Sequence, residues 1–284
     1  MQSPLDHVLV WDLETIPDLP CVARVNGFDE ADEAVAREKL GDKFPKLIYH
    51  AIVCIGALIA ERVEGVWIVR SLGAPNIADR TEAELIQSFV DRIAEYRPQL
   101  VTFNGSSFDL PVLRYRAMIN RVSAPGLALR PYFNRYTEDA LDLCDALASF
   151  TSNGKTSLND LCRALRYPGK PDDIDGGEVE RYVQEGRIGE VSGYCEVDVA
   201  ATYRVWLVHE LFRGRLSRAE FEASEENLLG FLAERVAGKP HLRHLIGPEK
   251  QPTIGAALRA PWWEARPLRL NARHRGSATP RWCP

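Results

Sequence analysis

The sequence predicts an α/β protein, and three stretches carry that prediction. An apolar run, "VLVWDLETIP" at 8 to 17, has the length and β-branched content of a buried strand. The stretch "QLVTFNG" followed by "SSFDLPVLRYRAMINR" gives a strand, a tight turn and a helix in succession. Between them, "RTEAELIQSFVDRIAEYRP" places Leu85, Ile86, Phe89, Val90 and Ile93 at helical spacing. In folds of this class, sites gather at strand ends.

Taken in order, the first strand ends in two carboxylates. Successive strand side chains point to opposite faces, so Val8, Val10, Asp12 and Glu14 share one face. Two like charges there repel, and either a solvated loop or a cation site explains them. Residues 21 to 49, around "DEADEAVAREKLGDKF", read as a helical or irregular surface insertion. "AIVCIGALIA" and "GVWIVRSL" flank the polar "ERVE" and predict an antiparallel hairpin with its turn over 61 to 64. Thr81 and Glu84 form a capping box before the amphipathic helix, and Pro98 closes it. Pro111 is tolerated near the first turn of the next helix.

Beyond residue 136, "TEDALDLCDALASF" reads as a helix or a strand leading into one, and "SLNDLCRALRY" as helical. "PGKPDDIDGG" is a loop, after which "GEVERYVQEG" and the long, apolar "IGEVSGYCEVDVAATYRVWLVHELF" predict helices, the second packed on the sheet. Residues 213 to 247 are expected to form a helical extension. From 248 onward the chain is rich in Arg and Pro without periodicity, which predicts a poorly ordered tail or a basic arm using Trp262 and Trp263.

Composition bounds the function. With 284 residues and 45% hydrophobic content there is material for a sizeable core. No leader pattern and no membrane-length apolar run occurs, so the expected compartment is the cytoplasm. Cys21, Cys54, Cys144, Cys162, Cys195 and Cys283 form no CxxC pair, and most are expected to be core residues. A net charge of -5 argues against a broad basic surface while leaving a local nucleic-acid site open.

Two further acids bear on the opening pair. Asp109 starts the helix after Asn104 and Gly105, and Asp198 lies one helical turn after Tyr194 in "YCEVD". Alone, an acid at a helix start is usually a cap or dipole partner, and a Tyr and an Asp one turn apart are usually a packing residue with a solvated neighbour. Together, four carboxylates at a strand end, a strand-helix junction and a late helix face are what a pair of Mg2+ or Mn2+ ions needs.

"WDLET", "FNGSSFDLPVL" and "YCEVDVAATY" resemble, in order and spacing, the three motifs of the DEDD superfamily of 3′-to-5′ exonucleases. The chain is most similar to the predicted 3′-to-5′ exonuclease family related to the proofreading domain of family B DNA polymerases. "FPKLIYHAIVCIGAL" and "GKPDDIDGGEVERYVQEGRIGEVSGYCEVDVAATYRVWL" extend that likeness over about residues 7 to 212. It implies an RNase H-like fold, a mixed central sheet flanked by helices, with the exonuclease domain over 1 to 212. It also implies a two-metal-ion mechanism releasing 5′-mononucleotides from a single-stranded 3′ end of DNA or RNA. Asp12 matches the aspartate that bridges both ions, Glu14 the glutamate on the nucleophile side, Asp109 the second-motif aspartate and Asp198 the third. Tyr194 matches the tyrosine that orients the attacking water; the histidine subgroup would carry its His at 193, where this chain has Gly193. Asn104 and Phe108 would face the terminal nucleotide.

Asp142, Lys155 and the run Asp172, Asp173 and Asp175 also invite metal or phosphate roles, but solvated loop and helix surfaces explain them at least as well, and they stand outside the catalytic set. His241 and His244 read as surface. The alternative function is a catalytically silent nucleic-acid-binding module of the same fold. About seventy residues follow the third motif, so a free-standing enzyme is expected rather than proofreading within one polypeptide.

Overall fold

A computed structural model describes residues 6–41, 43–169 and 176–246. The tail from 248, with Trp262 and Trp263, and the Asp172, Asp173 and Asp175 run lie outside them, as does Cys283. Five strands form one mixed sheet: β1 (His7–Pro17), β2 (His50–Val63), β3 (Val66–Gly73), β4 (Gln99–Thr102) and β5 (Ala140–Asp142), in the order β3-β2-β1-β4-β5. β1 pairs antiparallel with β2 and parallel with β4, and β5 joins β4 in parallel. Among the described residues ten helices accompany the sheet: α1 (Leu19–Asn26), α2 (Glu33–Leu40), α3 (Glu82–Tyr96), α4 (Asp109–Ile119), α5 (Leu143–Leu147), α6 (Leu158–Ala164), α7 (Val179–Gln184), α8 (Ile188–Phe212), α9 (Arg218–Ala233) and α10 (Arg243–Ile246).

The alternation of β1 divides the core. Leu9, Trp11 and Leu13 pack with α3 and α4 residues such as Phe89, Ile93 and Leu113. Val8 and Val10 pack on the opposite face with Val197, Val199 and Ala200 of α8. Asp12 and Glu14 continue this second face, so the strand's own period aims them at α8. α8 is buried along almost its whole length, which explains why its sequence is apolar on most sides. α3 carries the expected Thr81–Glu84 capping box and buries the five apolar residues that its spacing marks.

Three local expectations are corrected. The hairpin turn is only Glu64 and Gly65, both with positive φ, and not the whole of "ERVE". Glu61 and Arg62 stay in the strand because each has a partner across the hairpin: Glu61 pairs with Arg70 at 2.8 Å, and Arg62 lies over Trp67. The insertion after β1 is partly internal, since Leu19, Cys21, Val22, Ala36 and Tyr49 form their own small core. Asp142 is buried at the end of β5 instead of lying on a solvated surface.

β3 is the edge of the sheet, and α9 covers it. Ser224 Oγ accepts from Trp67 N at 2.9 Å and Asn227 Oδ1 from Val69 N at 2.8 Å, satisfying edge N–H groups that would otherwise invite another strand. The five described cysteines are all buried, and none of them is in a disulfide. Among the described residues, no helix is long and apolar enough to cross a membrane.

Candidate active site

β1 outruns β4. Their pairing stops at Val10 and Val101, β4 ends at Thr102, and the backbone of β1 beyond it needs other partners. Asp109, at the first turn of α4, supplies one: its Oδ1 accepts the Leu13 N–H at 3.0 Å. This bond fixes a helix-start carboxylate beside the segment that carries Asp12 and Glu14. Asp109 is buried, and burial pushes its carboxyl up to about 7. The N–H bonds from Leu13 and its own backbone oppose that rise, and the Asp142 carboxylate adds to it.

On the other side of β1, α8 approaches closely. One ligand atom each from Asp12, Glu14 and Cys195 lie within 4.8 Å of one another. Cys195 Sγ is 3.8 Å from the Asp12 carbonyl and 3.9 Å from Asp12 Oδ2. The approach depends on Gly56, the β2 partner of Asp12: a Cβ there would stand 2.5 Å from Cys195 Sγ and 3.0 Å from Val199 Cγ2. Hydrogen bonding to Cys54, then burial, then the Asp12 and Glu14 carboxylates hold the Cys195 thiol well above its usual range. Cys195 is therefore a neutral wall of the cluster, and the carboxylates are its ionic donors. Tyr194 and Asp198 flank Cys195 on α8, buried and one turn apart on a shared face.

The turn between β4 and α4 is built by a residue that sequence reasoning set aside. Asp142 accepts the N–H of Asn104 at 2.8 Å, of Ser106 at 2.9 Å and of Asp145 at 3.2 Å. Those bonds hold Asn104 in a left-handed conformation, φ 70°, which Asn tolerates better than most residues. Gly105 allows the turn to close on the site, because a Cβ there would stand 2.6 Å from Thr102 and 2.8 Å from Asp109 Oδ2. Lys155 is solvent-exposed and also reaches this turn: its Nζ meets Asn104 Oδ1 at 2.8 Å.

Phe108 lies immediately before Asp109. Its ring meets His50 edge-on at 4.9 Å and Phe44 at 5.8 Å, and Phe44 is 74% exposed. Burial lowers the pKa of His50, a hydrogen bond with the Pro45 carbonyl opposes that, and its Nδ1 contacts Thr15 Oγ1 at 3.0 Å. An aromatic wall thus stands at the mouth beside β1. Phe44 and His50 lie within "FPKLIYHAIVCIGAL", but nothing in their spacing reveals that they meet Phe108.

His241 is more than surface. Its Nε2 lies 2.8 Å from Glu196 Oε2, Lys239 pairs with the other oxygen, and Glu196 itself is buried. His244 Nε2 contacts the Gly169 carbonyl. Neither histidine joins a metal-type cluster among the described residues.

Compared with known families, residues 42–247 match a family model that spans more than half of the chain. The match contains Asn104, Phe108, Asp109, Tyr194 and Asp198, while Asp12 and Glu14 lie before it and join the same site through β1. No curated protein matches the chain. The chain belongs to the family of predicted 3′-5′ exonucleases related to the exonuclease domain of PolB.

Proposed function

We propose that this protein is a metal-dependent 3′-to-5′ exonuclease on an RNase H-like fold, acting in the cytoplasm. It hydrolyses the last phosphodiester of a single-stranded DNA or RNA 3′ end and releases a 5′-mononucleotide. The observation that carries this reading is the convergence around one segment of β1. Asp12 and Glu14 approach α8 beside Cys195, and Asp109 is bonded to the intervening Leu13 N–H.

The donor set fits magnesium or manganese. Asp12, Glu14, Asp109 and Asp198 offer hard oxygen ligands, and all four are candidates to hold a pair of ions. The raised Asp109 carboxyl fits as well, since added positive charge favours the ionised form that burial disfavours. When bound, two divalent ions supply charge at the attacking and leaving oxygens of a phosphodiester. The chain's own groups do the rest. The Tyr194 hydroxyl orients the attacking water. Asn104, clamped by Asp142 and Lys155, hydrogen-bonds the terminal nucleotide, and Phe108 packs against its sugar or base with Phe44 extending the wall.

The test is release of mononucleotides from a 3′-labelled single strand with magnesium or manganese, for wild type and Asp12→Ala. Wild type is expected to release nucleotides and the variant to fall to background. Equal release by both defeats the assignment. Binding without any release by wild type leaves the silent module.

A further inference from the structure

Beyond the Asn104 turn lies a second surface, built by the 131–136 loop, α5 and the 150–155 loop. Its centre is Asp145, a fully buried carboxylate. One oxygen of Asp145 meets Lys155 Nζ at 2.9 Å; the other accepts from Ser106 Oγ at 2.6 Å and from Arg135 Nη2 at 2.5 Å. Burial works against the ionised form, but Ser106, Lys155 and Arg135 outweigh it and hold the Asp145 pKa below its ordinary value. One anion therefore fixes two cations, and Lys155 links them to Asn104 of the candidate site.

Aromatic rings stand on those cations. The Arg135 guanidinium lies 5.7 Å from the Tyr136 ring and 5.6 Å from the Phe150 ring, and the two rings meet edge to face at 4.9 Å. Tyr136 is 70% exposed and Phe150 41%. Beside them a shallow cleft is bordered by Gly105, Ser106, Arg114, Phe133, Arg135 and Asp142. Arg114 lies 4.7 Å over the half-exposed Phe133 ring and pairs with no carboxylate among the described residues. Asp142, the acid of this cleft, is turned to three backbone N–H groups.

Exposed aromatic rings cost free energy in water and are common where something flat covers them. Here three of them alternate with Arg114, Arg135 and Lys155, whose combined charge exceeds that of Asp145, in a chain of net charge -5. Local positive charge beside stacking faces matches a phosphate backbone carrying unpaired bases. A duplex hides its base faces, so the match is to a single strand.

We infer that this surface is a track for single-stranded nucleic acid, holding the nucleotides upstream of the terminal one. Bases stack on Phe133, Tyr136 and Phe150, and phosphates meet Arg114, Arg135 and Lys155. The inference rests on the proposed function only in taking the Asn104 turn as the seat of the 3′ terminus.

Its test is binding without hydrolysis, using the full chain in EDTA and fluorescent oligothymidylates of about 15 and about 4 nucleotides. Wild type is expected to favour the longer strand over the shorter one and over a duplex of equal length. The double variant Tyr136→Ala, Phe150→Ala weakens binding of the longer strand about tenfold or more and abolishes the length preference. Arg114→Gln lowers the slope of log affinity against log salt by about 0.7. Phe212→Ala, which removes a ring 81% exposed at the end of α8, leaves both readouts unchanged. The inference is overturned if the double variant holds the longer strand as tightly as wild type, or if wild type binds duplex equally well. If the binding results come out as expected while wild type releases no nucleotide, the exonuclease reading fails and the track stands. Nucleotide release together with unaltered binding by the double variant removes the track alone.

Discussion

The two ends of α4 bury charge in opposite ways. Near its C-terminal end, Arg116 is 5% exposed and gathers two carboxylates, Glu82 through Nε at 2.7 Å and Nη2 at 2.5 Å, and Asp18 through Nη1. At its first turn Asp109 is equally buried, yet its hydrogen bonds come from backbone N–H groups, and its carboxyl is pushed up to about 7. One end carries its neutralising cation in the chain. The other is a carboxylate whose ionised form gains from a cation arriving from outside. The contrast separates a structural ion cluster from a candidate metal centre on a single helix, where acidic composition alone would treat them alike.

Breaking the first cluster has the largest expected effect. Arg116→Ala leaves the half-buried Asp18 and Glu82 without their guanidinium and is expected to cost about 3–5 kcal/mol in a denaturant titration. The matching change at the other end, Asp109→Asn, keeps an acceptor for the Leu13 N–H. It is expected to lower nucleotide release by about a hundredfold or more while leaving the unfolding midpoint unchanged or raised. A loss of stability like that of Arg116→Ala would erase the contrast.

Much of this geometry is legible in the sequence where it is local. The period of β1 places Asp12 and Glu14 on the Val8 and Val10 face, and the strand-turn-helix pattern puts Asp109 at a helix start. Tyr194 and Asp198 share a face by helical spacing. What is not legible depends on pairings across distance. Asp142 clamps residues 104 and 106 from almost forty positions away, and Phe44 meets Phe108 through a loop with no period. The polar "ERVE" is split because Arg62 and Glu61 find cross-hairpin partners that composition cannot reveal.

A smaller effect tests the approach of α8 to the carboxylates. Gly56→Ala places a methyl against Cys195 Sγ and Val199, and is expected to cost about 1–3 kcal/mol and to lower activity by displacing α8 from β1. The last contrast is in pH, and its sign differs between regions. With a folded value of about 7 against about 3.9 unfolded, Asp109 keeps a proton in the folded chain that the unfolded chain has lost. Cation-free stability therefore falls as pH rises from about 4 to about 7, and Asp109→Asn flattens that slope. Glu196 behaves oppositely: burial raises its pKa, but His241 and Lys239 outweigh it and hold the folded value below the ordinary one. Its contribution is present above about 4.3, the unfolded value, and is lost as pH falls through the folded value. Thermal unfolding in chelator across this range reads both slopes.

The central claim is that the carboxylates around β1 form a divalent-cation centre. Counting bound Mn2+ by electron paramagnetic resonance, in wild type and in Asp12→Ala, tests it most directly. The account predicts two ions per wild-type chain and the loss of at least one in the variant. No bound Mn2+ in wild type, or the same count in both proteins, contradicts it.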